Sequence, residues 1–159
     1  MPIRDRARRS DALAVETAIE LSRSVSALSA RLLPPLQKEF GLTESQLGVL
    51  EALHHLGPLT QSQLCRRILR SGSNVTTVVD NLERNGLVRR ERDPDDRRVQ
   101  VVHPTLKGAA LIERALPGHV ERTGEALAGL SPEEQRELGR LCRKLAASLG
   151  DGIAFVASA

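Results

Sequence analysis

Aromatic residues are almost missing from this chain: its 159 residues include two Phe, no Trp and no Tyr. Proteins that hold single-stranded nucleic acid stack the bases on aromatic rings, so that class is nearly excluded. Duplex DNA is gripped through phosphates and groove edges and needs no rings. Cysteine is equally scarce, at Cys65 and Cys142 alone. Two residues so far apart make neither a disulfide framework nor a CxxC metal pair, and no metal or cofactor is expected. No apolar run reaches the length of a membrane span. Arg4, Arg6, Arg8 and Arg9 lead into helix-like sequence rather than the apolar stretch of a signal peptide, and a reducing cytoplasm is the natural setting. The GxSxG, P-loop, GxGxxG and HExxH patterns are missing too, which disfavours an enzyme.

What is present is charge in one place. Residues 61–106 hold nine Arg and six acids, whereas the rest of the chain holds 14 basic and 14 acidic residues. The whole formal excess of +3 therefore sits in one internal stretch. Every basic residue there is Arg, whose forked guanidinium suits phosphate and guanine better than an ammonium does.

Hydrophobic periodicity organises the chain. From Asp11 to Phe40, Leu13, Ala14, Leu21, Val25, Leu28, Leu32 and Leu36 recur at helical spacing, with Pro34-Pro35 expected to kink or break the helix. Thr43-Glu44-Ser45-Gln46 is a capping-box start to a helix ending near Leu56. Thr60-Gln61-Ser62-Gln63 repeats the pattern and opens a short helix through Leu69. A turn at Ser71-Gly72-Ser73-Asn74 leads to a helix whose buried face is Val75, Val78, Val79 and Leu82, ending at Asn85-Gly86. Two helices joined by a short Gly-bearing turn form a helix-turn-helix. The period then changes to two: Leu87–Arg92 and Arg98–His103 read as strands around the turn Asp93-Pro94-Asp95-Asp96, a wing. Thr105 caps a further helix, and Ser131-Pro132-Glu133-Glu134 begins the last. The fold class is thus mainly α with a small β-hairpin wing.

A recognition helix needs one apolar face for docking and short polar side chains near its N-terminus for base edges. Ser71, Ser73, Asn74, Thr76 and Thr77 meet that need, with Asn81 and Arg84 placed for the backbone or flanking bases. Taken alone, such residues are as easily an ordinary solvated helix face. The wing tips the balance. Arg97 and Arg98 lie beside a tight acidic turn, and an Arg projected into a narrow minor groove is a known reading device. Arg89, Arg90 and Arg92 on the other strand are expected to supply phosphate contacts. The bland alternative is a turn whose Asp and Arg pair in solvent.

The stretch SNVTTVVDNLERNGLVRRERDPDDRRVQVVHPTLKG resembles the MarR family of winged helix-turn-helix transcription regulators. It matches the pattern of a helix ending in LExxGLV, an Arg/Asp-rich wing and a Thr opening the next helix. The likeness extends more weakly through LTESQLGVLEALHHLGPLTQSQL and covers about residues 40–112. The family's D-x-R motif falls on Asp96-Arg97-Arg98, which implies Arg98 in the minor groove, Asp96 as its brace and Arg97 as a second candidate. Pro104 stands where the family usually has Leu.

The resemblance implies a winged-helix DNA-binding lobe at 41–104 and a helical dimerisation region at 11–40 and 105–150. A flexible basic N-terminus at 1–10 and a tail at 151–159 flank them. Ile153, Phe155 and Val156 in that tail either extend the interface or fray. A homodimer would read a pseudo-palindromic operator in double-stranded DNA, with half-sites about one helical turn apart. The resemblance further implies a repressor released by a small aromatic or lipophilic effector. His54 and His55, near the family's ligand cleft, are candidate effector contacts, although imidazoles at a helix C-terminus also serve its dipole. Cys65, beside Arg66 and Arg67, is a candidate redox site, although its spacing with Leu64 and Ile68 suits a buried position and a small buried hydrophobe is the commoner role. A regulator switched by thiol oxidation and a winged-helix module for protein contacts are the alternatives.

Overall fold

The computed structural model describes residues 3–68 and 75–149, the side chains of residues 3–10 and 68 excepted. Six helices and three short strands follow in order: α1 (Ile3–Phe40), α2 (Glu44–Leu56), β1 (Leu59–Thr60), α3 (Gln61–Ile68), α4 (Val75–Arg84), β2 (Val88–Arg92), β3 (Gln100–Pro104), α5 (Leu106–Leu127) and α6 (Pro132–Ser148). The expected turn at 71–74 and the tail at 151–159 lie outside the described residues.

The prolines do not break α1, which runs on through Pro34 and Pro35 to Phe40. A proline inside a helix costs about 3 kcal/mol. Leu32 and Leu36, on either side of the pair, are both buried, and each contributes about 1.5–3 kcal/mol. That burial holds the helix together across the defect. At its other end α1 begins at Ile3, within the stretch expected to be flexible. Pro117 is likewise carried inside α5.

The core is aliphatic and sits where α2, α3, α4 and the sheet meet the end of α1 and the start of α5. Leu36, Leu50, Leu53, Leu64, Val79, Leu82, Val102 and Ile112 are all but fully buried in it. The valine stripe of α4 faces inward as expected, with Val75, Val79 and Leu82 buried and Val78 half-buried.

The hairpin strands begin one and two residues later than their sequence pattern indicated. A third strand, β1, joins them in the antiparallel order β1-β3-β2, with Leu59 opposite Val102 and Val88 opposite Pro104. At two residues β1 is too short to leave a periodic trace in the sequence. Thr60 ends it and caps α3: its N–H donates to Gln63 Oε1 (2.8 Å), while its Oγ1 accepts from the Gln63 amide (3.2 Å).

One node joins the helix-turn-helix to the wing and to α5. Gly86 adopts φ 70°, and the Leu87 and Gly86 amides donate to the carbonyls of Leu82 and Glu83, which is a Schellman termination of α4. Thr105 Oγ1 donates to Gly86 O (2.7 Å) and accepts from the Gly108 amide (3.0 Å), stapling the start of α5 onto that turn. The two backbones approach so closely that a Cβ on Gly108 would lie 2.0 Å from Leu87 O.

Alanine normally improves a helix over glycine by about 0.5–1 kcal/mol. Gly108→Ala is expected to invert that sign and destabilise by about 1–3 kcal/mol or more, since a backbone must move to admit it. Urea unfolding monitored by circular dichroism measures this, and an unchanged or raised midpoint would overturn the close-approach account.

Candidate nucleic-acid interface

The wing tip is tied by its own carboxylates. Asp93 Oδ1 accepts from the amides of Asp95 (2.9 Å) and Asp96 (3.1 Å), and Asp96 Oδ1 accepts from the Arg98 amide (3.0 Å). Backbone bonds from Asp93 N to Val99 O and from Val99 N to Asp96 O close the turn. Asp96 thus shapes the turn through the Arg98 backbone, whereas the family motif implied a brace on its guanidinium. Arg92, Arg97 and Arg98 are exposed, and among the described residues none has a carboxylate within ion-pair distance. Asp93 and Asp96 thus serve the backbone, and among the described residues the tip arginines are left without an ion-pair partner.

The other two strand arginines differ. Arg90 alternates with Arg89 and so shares the inward face of β2 with buried Val88. Its guanidinium pairs with Asp80 and lies 3.2 Å from Glu83 Oε2, while Glu83 Oε1 also accepts from the Arg90 amide (2.9 Å). With a side chain 18% exposed, Arg90 is a bolt between α4 and the wing and is not displayed for phosphate. Arg89 faces outward and pairs with Glu91 on the same strand. Two signals in the sequence pointed to Arg90: the period-two match with Val88, and the acids at positions 80 and 83 on one side of α4.

On α4 itself, Thr76, Thr77 and Arg84 are exposed and Asn81 is half-buried. Arg84 Nη1 donates to Asn81 Oδ1 (3.3 Å). Gln61, which sequence reading left unassigned, donates from Nε2 to Thr76 Oγ1 (2.6 Å). Ser71, Ser73 and Asn74 lie outside the described residues. The structure therefore brings Thr76, Thr77 and the wing arginines onto the lobe that carries the net positive charge.

The proposed switch residues are elsewhere. His54 and His55 are exposed at the end of α2, their rings 5.2 Å apart and edge to face, and neither lines a described cavity. Cys65 is half-buried and packs against the core. Cys142 is exposed on α6.

Comparison with known proteins gives this geometry a family. Residues 40–99 match the sequence model of the MarR family. The HTH-type transcriptional regulator YkoM of Bacillus subtilis is 42% identical over 107 residues, covering 67% of this chain and 70% of YkoM. Sco3205 of Streptomyces coelicolor, a MarR family transcriptional regulator crystallised in complex with DNA, matches with a TM-score of 0.78 at 30% identity, covering 89% of this chain and 88% of Sco3205. The chain belongs to the MarR family. A further structural neighbour is PcaV, a transcriptional regulator of Streptomyces coelicolor crystallised with its natural ligand: TM-score 0.70, 27% identity, 84% of this chain and 91% of PcaV. Membership places the chain among transcription regulators rather than enzymes. No described helix is long and apolar enough to cross a membrane.

His103 reports on the electrostatics of this MarR-family wing. Burial against the sheet, and then the Arg89 guanidinium across the strand pair, hold its imidazole below the ordinary range. Glu91 Oε2 lies 3.3 Å from Nε2, but its charge is shared with Arg89. A depressed folded-state pKa means a stabilising contribution complete above about pH 6.5 and lost as pH falls through the folded value. An NMR titration should place His103 below pH 6.5, and Arg89→Ala should raise it. A His103 pKa unmoved by that substitution would overturn the assignment of cause.

Proposed function

We propose that this MarR-family regulator binds double-stranded DNA sequence-specifically as a homodimer, with α4 in the major groove and the wing arginines, Arg98 foremost, in the adjacent minor groove. The observation that carries this reading is the wing tip, where Asp93 and Asp96 are used by backbone amides and leave Arg92, Arg97 and Arg98 uncompensated. A hairpin built only for packing has no use for exposed, unpaired guanidinium groups, whereas a narrow minor groove concentrates the negative potential they match. The DNA complex of Sco3205 supports the same reading.

The dimer is supported by apolar surface with nothing over it in one chain. Leu13, Val15, Ile19 and Val25 of α1 are exposed, as are Leu138, Leu141 and Leu145 of α6, a helix without a buried residue. Two copies joined there would present two α4 helices to a pseudo-palindromic operator. The helical region at 11–40 and 105–150 thus serves assembly, and the lobe at 41–104 serves DNA.

We read the protein as a repressor released by a small effector. The natural ligand of PcaV supports this, as does a cavity of about 350 Å³ between the end of α1, the start of α2, the α4–β2 turn and α5. Phe40, Leu42, Leu87 and Leu111 give it apolar walls, and Gln46, Asn85 and Lys107 add polar groups, a mixed lining that can take a small aromatic molecule with a polar substituent.

Affinity for sites selected from a random DNA pool, measured by fluorescence anisotropy at rising salt, tests the DNA reading. Binding should fall steeply with salt. Arg98→Ala should weaken it by about 1–3 kcal/mol with the melting temperature unchanged. Arg90→Ala should differ from it by lowering stability as well, by about 1 kcal/mol, through the lost charge-assisted contacts with Asp80 and Glu83. Wild-type affinity in Arg98→Ala would sink the wing assignment. For assembly, Leu141→Asp with Leu145→Asp should halve the mass seen by sedimentation equilibrium, and an unchanged mass would remove α6 from the interface.

A further inference from the structure

The capping box of α3 uses Thr60 and Gln63, so the side chain of Gln61 at the first helical position is not needed to start the helix. It crosses instead to the recognition helix, where its Nε2 donates to Thr76 Oγ1 at 2.6 Å, fifteen residues along the chain. The bond lies at the surface, with Thr76 exposed. Water competes there for both groups, so the contact adds little to stability. Its geometric effect is larger. A threonine in a helix divides between two χ1 rotamers, because its hydroxyl finds partners in both. Gln61 selects the one that turns Oγ1 toward α3.

Gln61 has a second neighbourhood. With Thr60 and Ser62 it forms one wall of a cleft of about 350 Å³, and Arg98, Val99 and Gln100 at the tip end of the wing form the other. One amide therefore stands between the two parts assigned to DNA. On one side is the polar face of α4, and on the other the arginine of the wing.

We infer that Gln61 is a positioning residue for sequence recognition: it fixes the Thr76 rotamer and so sets the base preference read by this part of α4. Gln61 takes one acceptor site of Oγ1 and so orients both the hydroxyl, which keeps its own proton to donate, and the Cγ2 methyl, a group suited to the C5-methyl of thymine. This rests on the DNA-binding reading above and adds a residue that no wing or helix motif marks.

The test is a double-mutant cycle on the full-length protein: wild type, Gln61→Ala, Thr76→Val and the pair, each scored against a selected site carrying every single-base change, with Arg98→Ala alongside. Gln61→Ala should flatten the preference at one position in each half-site by about 3–10-fold, the size of a lost single contact. Melting temperature and salt slope should not change. Thr76→Val keeps the methyl and removes the hydroxyl, so adding Gln61→Ala to it should change nothing further. An unaltered base preference in Gln61→Ala overturns the inference. So does the same change in the valine background, which would make Gln61 a direct DNA contact. If Gln61→Ala fails to fold, Gln61→Met supplies the same comparison, since it keeps the length of the side chain and removes the donating amide. Failure of the wider reading looks different: Arg98→Ala then binds like wild type, or wild type prefers no sequence.

Discussion

The wing is held to the helix-turn-helix by one charged side chain on an otherwise apolar seam. Arg90 reaches from β2 to Asp80 and Glu83, two acids on the same side of α4, and Glu83 returns to the Arg90 amide. Apolar packing is non-directional, so Val88 against Val79 and Leu82 would tolerate small rotations of the hairpin. A planar guanidinium between two carboxylates tolerates far fewer. Together with the Gly86–Thr105 node, this contact therefore holds the angle between α4 and the wing. Everything attributed to the DNA-facing surface depends on that angle, because a groove reader and an adjacent groove probe must keep a common pitch.

Around that seam the lobe divides its charges by role. The acids of the wing tip satisfy backbone amides, Arg90 is spent on structure, and Arg89 and Glu91 neutralise one another beside His103. What remains at the edge is Arg92, Arg97 and Arg98. A run that reads in sequence as alternating sign is, in three dimensions, divided between charges tied to the backbone or to one another and exposed arginines without an ion-pair partner among the described residues.

Much of this was legible because local rules and fold agree. The valine stripe of α4, the capping boxes at Thr43 and Ser131, the Gly86 stop and the change of period at the wing all name their own elements. Three features were not legible, each for a physical reason. Pro34-Pro35 looked like a break because propensity is local, whereas the burial of Leu32 and Leu36 that overrides it is tertiary. Strand β1 is too short to carry a period. Neither the inward turn of Arg90 nor the bond from Gln61 to Thr76 could be foreseen from charge or motif alone: charge density cannot tell an outward arginine from an inward one, and a lone glutamine carries no motif.

The wing turn has a consequence for the entropy of binding. Fixing a backbone residue costs about 1–2 kcal/mol, and an untied loop would meet that cost on reaching its partner. Here Asp93 and Asp96 hold the chain from 93 to 99 in one closed shape through five hydrogen bonds that involve no partner at all. The ordering is completed as the protein folds, and the arginine side chains alone still have freedom to lose.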